Sequence, residues 1–188
     1  GVPFHAGTHY LCLQMLEGFL PREVINVCDA SGAASDRYAS MMAGEVDACT
    51  VVEPYIAAAE KNGCRVIVQS FYHGTDVATD AVDSETYVGI NRAVSKAVKL
   101  LNDDKRWAAQ LFIDWHKSDP VIASLTPDDF NLSRLVFVEP APIPAEELQR
   151  TYEWMVSWDM IDAGHGLDDL VHTEVQNSAH QVLVGDDD

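Results

Sequence analysis

The sequence predicts an α/β fold with a largely parallel sheet over residues 1–70, followed by a mostly helical C-terminal part. Three observations predict it. Short, β-branched apolar runs at Val24–Cys28, Val46–Val52 and Cys64–Val68 alternate with segments of helical length, which is the pattern of strand–helix units in a parallel sheet. The intended strand ends carry turn and helix-start residues, at Ala6-Gly7-Thr8-His9, Ser31-Gly32 and Glu53-Pro54-Tyr55. Beyond about residue 70 the apolar spacing becomes helical and few further strands are offered.

Taken in order, Gly1–Phe4 reads as the end of a strand begun upstream. Thr8–Leu20 reads as a helix, because Cys12, Met15, Leu16 and Phe19 fall on one stripe. Gly7 and Thr8 suit its entry turn and N-cap, and Pro21 its stop. Val24–Cys28 reads as a strand and Ala30–Ala34 as a small-residue loop. Ser35–Ala43 is the next helix, closed by Gly44. Val46–Val52 is the clearest strand, apolar and too short for a helix. Glu53-Pro54 opens a helix through Glu60, with proline in the first turn. Asn62-Gly63 ends it, and Cys64–Val68 is a fourth strand.

Ser70–Asp83 is polar and loop-like. Ser84–Asn102 is a long helix with Ile90, Val94, Ala97 and Leu101 on one face, and Lys105–Lys117 another, carrying Trp107, Leu111 and Trp115. Thr126-Pro127-Asp128-Asp129 signals a helix start, Ser133–Pro144 is extended, and Ala145–Met160 is helical. The expected organisation is an α/β ligand-binding lobe over 1–70, a crossover or hinge over 71–83, a helical part over 84–165 and a frayed tail over 166–188.

Composition narrows the function. The chain has 188 residues, 47% of them hydrophobic, enough for a core. Its 30 acidic and 12 basic residues give a net charge of -18, which disfavours a phosphate backbone or an anionic membrane surface as partner. No apolar run is long enough for a membrane span, and Gly1-Val2-Pro3-Phe4 does not read as a signal peptide. Cys12, Cys28, Cys49 and Cys64 form no C-x-x-C pair, so they read as small buried hydrophobes rather than zinc or redox ligands. His165, His172 and His180 lack metal-site spacing, so neither metal nor cofactor is expected. Trp107, Trp115, Trp154 and Trp158 read as helix-packing residues.

The order of several motifs resembles the nitrate/sulfonate/thiamine-precursor (NMT1/THI5-like) group of type II periplasmic binding proteins. Gly1-Val2-Pro3-Phe4-His5-Ala6-Gly7-Thr8 is similar to that group's strand, small-residue loop and helix start. Met42-Ala43-Gly44-Glu45-Val46-Asp47-Ala48 is similar to its helix, Gly-Glu-x-Asp-Ala and strand segment. Glu53-Pro54-Tyr55, then Ala57-Ala58-Ala59 and Gly63-Cys64-Arg65-Val66, is similar to its proline-started helix and returning strand. The resemblance covers Gly1–Ser70 and implies the second lobe of a periplasmic-binding-protein-like fold, with C-terminal helices packing on a first lobe supplied by a second polypeptide.

On that reading Gly7, Thr8, His9, Ser31, Glu53 and Tyr55 line a small-molecule site, since open α/β sheets bind ligands at strand carboxyl ends. Helix N–H groups and the Thr8 hydroxyl suit an anion, against capping for Thr8 and a surface role for His9. Ser31 divides evenly between ligand contact and turn chemistry. Glu53 could accept an amine or ring N–H, against a helix-start role; Tyr55 could stack, against packing. His73-Gly74-Thr75-Asp76 lacks an accompanying nucleophile motif.

The resemblance implies binding of an anionic or polar heterocyclic solute as the solute-binding component of an ABC-type transporter, with a membrane transporter as a further partner and a periplasmic or extracellular location. The alternative is a subunit or processed chain of a cytoplasmic enzyme on the same scaffold, a hydrolase or lyase using Cys28, His9 or Glu53. A purely structural subunit ranks third.

Overall fold

The computed structural model describes residues 1–30, 32–72, 74, 79, 81–166, 169, 171 and 180. The chain divides into two compact units, one of Gly1–His73 with Lys105–Leu135, the other of Gly74–Asp104 with Val136–Asp188. The regular elements are α1 (Gly7–Glu17), α2 (Ala34–Met42), α3 (Tyr55–Lys61), α4 (Ser84–Asp103), α5 (Lys105–Trp115), α6 (Pro120–Ala123) and α7 (Ala145–Ser157). Short 3-10 turns lie at Arg22–Val24, Pro127–Asp129 and Leu132–Arg134.

Among the described residues there is no strand and no sheet. The expected α/β fold, with a periplasmic-binding-protein-like lobe built on a parallel sheet, is therefore corrected to a helical one. What remains is one parallel rung on each side of Gly1–Phe4. Val2 N–H donates to Cys28 O at 3.0 Å, and Ala30 N–H to Val2 O at 2.8 Å. On the other side Gly1 N donates to Ala48 O at 2.6 Å, and Thr50 N–H to Gly1 O at 3.2 Å.

The ladder stops there for identifiable reasons. The next rung toward Val46–Val52 requires an N–H at residue 3, and Pro3 has none. Its would-be acceptor, Thr50 O, takes a bond from Arg37 Nε at 2.8 Å instead. Toward Val24–Cys28, Phe4 N–H meets the side chain of Asp29, at 3.5 Å, rather than a backbone carbonyl. His5 then takes φ 61, which turns the chain away. Val24 belongs to a 3-10 turn, and Val66, Ile67 and Val68 stay exposed in an irregular run that bends at Ile67.

The core of the first unit centres on α3. Ala57, Ala58 and Ala59 are buried, and Tyr38 of α2, Ala109 and Ile113 of α5, Ile122 of α6, Leu125 and Phe130 close around them. Three consecutive alanines let neighbouring backbones approach this short helix closely. Gly63, at φ 85, ends it, and Cys64 N–H returns to Ala59 O at 2.9 Å, a left-handed C-terminal stop.

In the second unit, Asp83 caps α4 by accepting Thr86 N–H at 2.7 Å. These bonds hold the Asp83 carboxyl below its usual range. Asn102 donates to Phe137 O at 2.9 Å, and Ser95 to Glu139, so the extended segment before α7 lies along α4. Tyr152 of α7 accepts the N–H groups of Gly164 and His165, at 2.8 and 3.0 Å.

An Ala58→Leu substitution tests the close packing of α3. Residue 58 is 1% exposed, and forcing extra carbons into such a site costs about 1–3 kcal/mol. Urea unfolding should show that loss; an unchanged midpoint would mean the α3 interface is loose.

Candidate functional site

The two parallel rungs have a geometric consequence. They set the carboxyl ends of three segments side by side: Phe4-His5, Ala30 with Gly32, and Val51–Glu53. Arg37 locks two of these ends together. Its side chain lies on the buried face of α2, 5% exposed, where Nε donates to Thr50 O and Nη1 to Gly32 O, each at 2.8 Å. Gly32 sits at φ 108, and a Cβ there would run into the Asp36 carboxylate. That carboxylate accepts Ala33 N–H at 2.7 Å and so begins α2.

The first segment leads into α1. Its N-cap is Ala6, which makes no side-chain cap bond, and not Thr8 as expected; Gly7, Thr8 and His9 fill the first three helical positions. First-turn N–H groups have no acceptor within the helix, and Gly7 faces open space. His9 is buried rather than on the surface. Its Nδ1 accepts His5 N–H at 3.2 Å, and its ring packs against Phe4 and Tyr10, with centroids 5.1 and 5.9 Å away. Burial, helped by the neighbouring His5, pushes the His9 pKa down. His9 N–H itself donates to Ala6 O at 2.9 Å, so its ring and backbone shape the turn and the donors of the first turn are the N–H groups of Gly7 and Thr8.

Glu53 and Tyr55 belong to a second group, around α3. Glu53 Oε2 accepts Ala57 N–H at 3.0 Å, and Oε1 faces Arg134 Nε at 3.9 Å. The Arg134 side chain is 9% exposed, and its other end bonds Glu60. Burial pushes the Glu53 carboxyl up, opposed by the Ala57 N–H and by Arg134. Tyr55 donates its hydroxyl to Asp119 Oδ2 at 2.8 Å. Asp119 Oδ1 also accepts the N–H of Val121 and Ile122, at 2.8 and 3.3 Å. Burial and then Asp119 raise the Tyr55 pKa, while the Tyr55 hydroxyl is the main cause of Asp119's lowered one. Lys61, at the end of α3, reaches Ser124 O at 2.7 Å and Asp129 at 2.8 Å.

The expected site residues thus divide. Gly7, Thr8 and His9 form the α1 entry, while Glu53 and Tyr55 lash α3 to residues 119–135. Ser31, and His73, Thr75 and Asp76, and His172, lie outside the described residues. Cys28 is exposed and Cys12, Cys49 and Cys64 are half-buried, which corrects the expectation of four buried thiols. Burial raises the Cys12 and Cys49 pKa values. Trp115 is 81% exposed rather than packed, while Trp154 and Trp158 form a tilted pair with centroids 5.7 Å apart. Among the described residues no three His, Cys, Asp or Glu side chains gather as a metal site, and no helix is long and apolar enough to cross a membrane.

Sequence reasoning missed Arg37 and Arg134. No local signal marks them: Arg37 sits between Asp36 and Tyr38, and Arg134 between Ser133 and Leu135. No protein-family model, curated protein or solved structure matches this chain.

The Tyr55–Asp119 bond makes a pH prediction. Asp119's carboxyl is held below its ordinary value of 3.8, so the stability it contributes is complete above that pH and is lost as pH falls through the lowered value. A hydrogen bond to a charged group is worth about 1.5–3 kcal/mol. Tyr55→Phe should therefore destabilise the first unit by that order at pH 7 and by less near pH 2. Denaturant unfolding at the two pH values checks it, and equal losses at both would contradict the assignment.

Proposed function

We propose that this chain binds a small anionic or polar heterocyclic solute at the rim formed by its three neighbouring segment ends. The observation that carries the reading is the uncapped start of α1, held beside Ala30 and Gly32 by the backbone rungs and beside Thr50 by Gly1 and Arg37. The N–H groups of Gly7 and Thr8, with the Thr8 hydroxyl, are donors at the positive end of a helix dipole, which favours an anionic head group. Burial biases His9 toward its neutral form, so the attraction comes from hydrogen-bond donors and the dipole.

The ordered motifs over Gly1–Ser70 support placing this activity in a solute-binding component of an ABC-type transporter, working in the periplasm or outside the cell. A second polypeptide is part of the proposal. Val66, Ile67, Phe71 and Tyr72 are exposed in the irregular stretch after α3, and exposed apolar groups clustered in sequence suit an interaction surface. The enzyme reading draws on one observation, the exposed thiol of Cys28 beside the rung to Val2. An exposed thiol is alkylated in either case, so the discriminating readout is what alkylation does. A transport component keeps its ligand affinity, whereas an enzyme using Cys28 loses turnover.

Isothermal titration with nitrate, methanesulfonate and an aminopyrimidine tests the proposal. At least one should bind saturably with one site per chain. Thr8→Val preserves shape and removes one donor, and should weaken that binding about five- to tenfold. Absence of binding by all three probes, or equal affinity of the variant, would refute the site.

A further inference from the structure

Helix α4 turns its apolar stripe away from its own unit. The face that packs inward is mostly polar. Ser95, Val98 and Asn102 share it, with Ser95 bonded to Glu139 and Asn102 to Phe137 O at 2.9 Å. Val98 is the one buried apolar side chain of the second unit among the described residues. Outward lie Ile90, Val94 and Ala97, continued by half-buried Leu101, in the 4-3-4 spacing of a helix-packing seam. Ile90 is 49% exposed, Val94 39% and neighbouring Leu100 59%. A helix of a folded unit ordinarily buries such a stripe. Gly89 adds to the anomaly. Glycine inside a helix is destabilising relative to alanine, yet a Cβ at this position would meet nothing within 4 Å. With Ala93 one turn on, Gly89 leaves room for a second backbone to approach closely.

The flank of this face is basic. Arg92, Lys96 and Lys99 follow one another along it, and no acidic residue occurs between Thr86 and Asn102, in a chain with 30 acidic residues against 12 basic ones. Lys96 and Lys99 are exposed, and neither has an ion-pair partner among the described residues. We propose that the outward face of α4 docks an acidic amphipathic helix of a partner polypeptide. Its apolar stripe covers Ile90 and Val94, and carboxylates three and four residues apart along one edge meet Arg92, Lys96 and Lys99. The seam selects a helix, because this spacing is that of an amphipathic helix laid on a partner. The flank selects an acidic one, because complementary charges at an interface rim fix register and exclude wrong partners. A second copy of α4 would oppose one basic flank with another, and the net charge of -18 repels an anionic lipid surface. The surface belongs to the second unit and makes no use of the rim, so the two proposals fail separately.

Two helical peptides of α4's length test it, with the same Leu/Ala stripe and either Glu or Lys along one edge, each titrated against the full chain by fluorescence anisotropy. The Glu peptide should bind saturably, about tenfold tighter than the Lys peptide or better, and weaken as salt rises. Net charge alone predicts the opposite order, so the order separates a local surface from general attraction. Ile90→Asn/Val94→Asn should lose the binding. Should that variant lose its helical circular dichroism, Lys96→Gln/Lys99→Gln, at exposed positions, should still weaken binding about three- to tenfold. Preference for the Lys peptide, no binding of the Glu peptide, or unchanged binding by the lysine variant would overturn the proposal. So would dimerisation of the chain that the Ile90/Val94 variant abolishes, or binding to phosphatidylglycerol vesicles that the lysine variant abolishes.

Discussion

The arrangement of the first unit depends on a buried guanidinium. Arg37 is almost fully covered in a strongly acidic chain, and both of its described hydrogen bonds go to backbone carbonyls. Taking a cation out of water costs several kcal/mol unless its donors are met, so the carbonyls of Gly32 and Thr50 have to sit where Arg37 needs them. This one requirement does two things. It ties the loop before α2 to the segment after Ala48, which fixes two sides of the rim. It also occupies Thr50 O, the acceptor that a longer parallel ladder would use. With no N–H at Pro3 to claim that carbonyl, the pairing stays at single rungs, and the helices supply the rest of the order.

A second constraint holds α3. The helix has seven residues, too few to persist alone, and its stability comes from what it touches. The alanine face packs tightly, while Tyr55, Glu53, Glu60 and Lys61 reach Asp119, Arg134, Ser124 and Asp129. These bonds are not equivalent. Exposed ion pairs such as Arg106 with Asp128 contribute little. Arg134 with Glu53 is largely covered, so removal of either partner leaves a buried charge. Glu53 therefore couples the helix that builds the core to the segment end that borders the rim.

The helices were legible in the sequence because their signals are local. α1, α2, α4, α5 and α7 lie within a few residues of the spans read from apolar stripes and from stop signals such as Gly44. The sheet was misread because a strand needs a partner. The β-branched run Val46–Val52 begins in bends at Val46 and Asp47 and forms no strand, and its pairing stops at Pro3 and Arg37, both remote from it in sequence. Glu53 and Tyr55 failed to join the α1 entry for a similar reason. Tyr55 finds Asp119 across 64 residues, and Glu60 finds Arg134 across 74, separations at which no spacing rule operates. Thr8 lies inside the first turn and Ala6 takes the N-cap position, where the preceding turn is shaped by a contact no spacing rule anticipates, the His9 ring accepting the N–H of His5.

On the proposed function, one rim assembled by backbone rungs and Arg37 presents the first-turn donors of α1 to a small anionic ligand. Amide chemical-shift mapping during titration with methanesulfonate measures this most directly. Saturable shifts concentrated at Gly7 and Thr8, with smaller ones at Gly32, are expected. Shifts scattered over the surface, or concentrated on α5 or α7 with Gly7 and Thr8 unmoved, would contradict it.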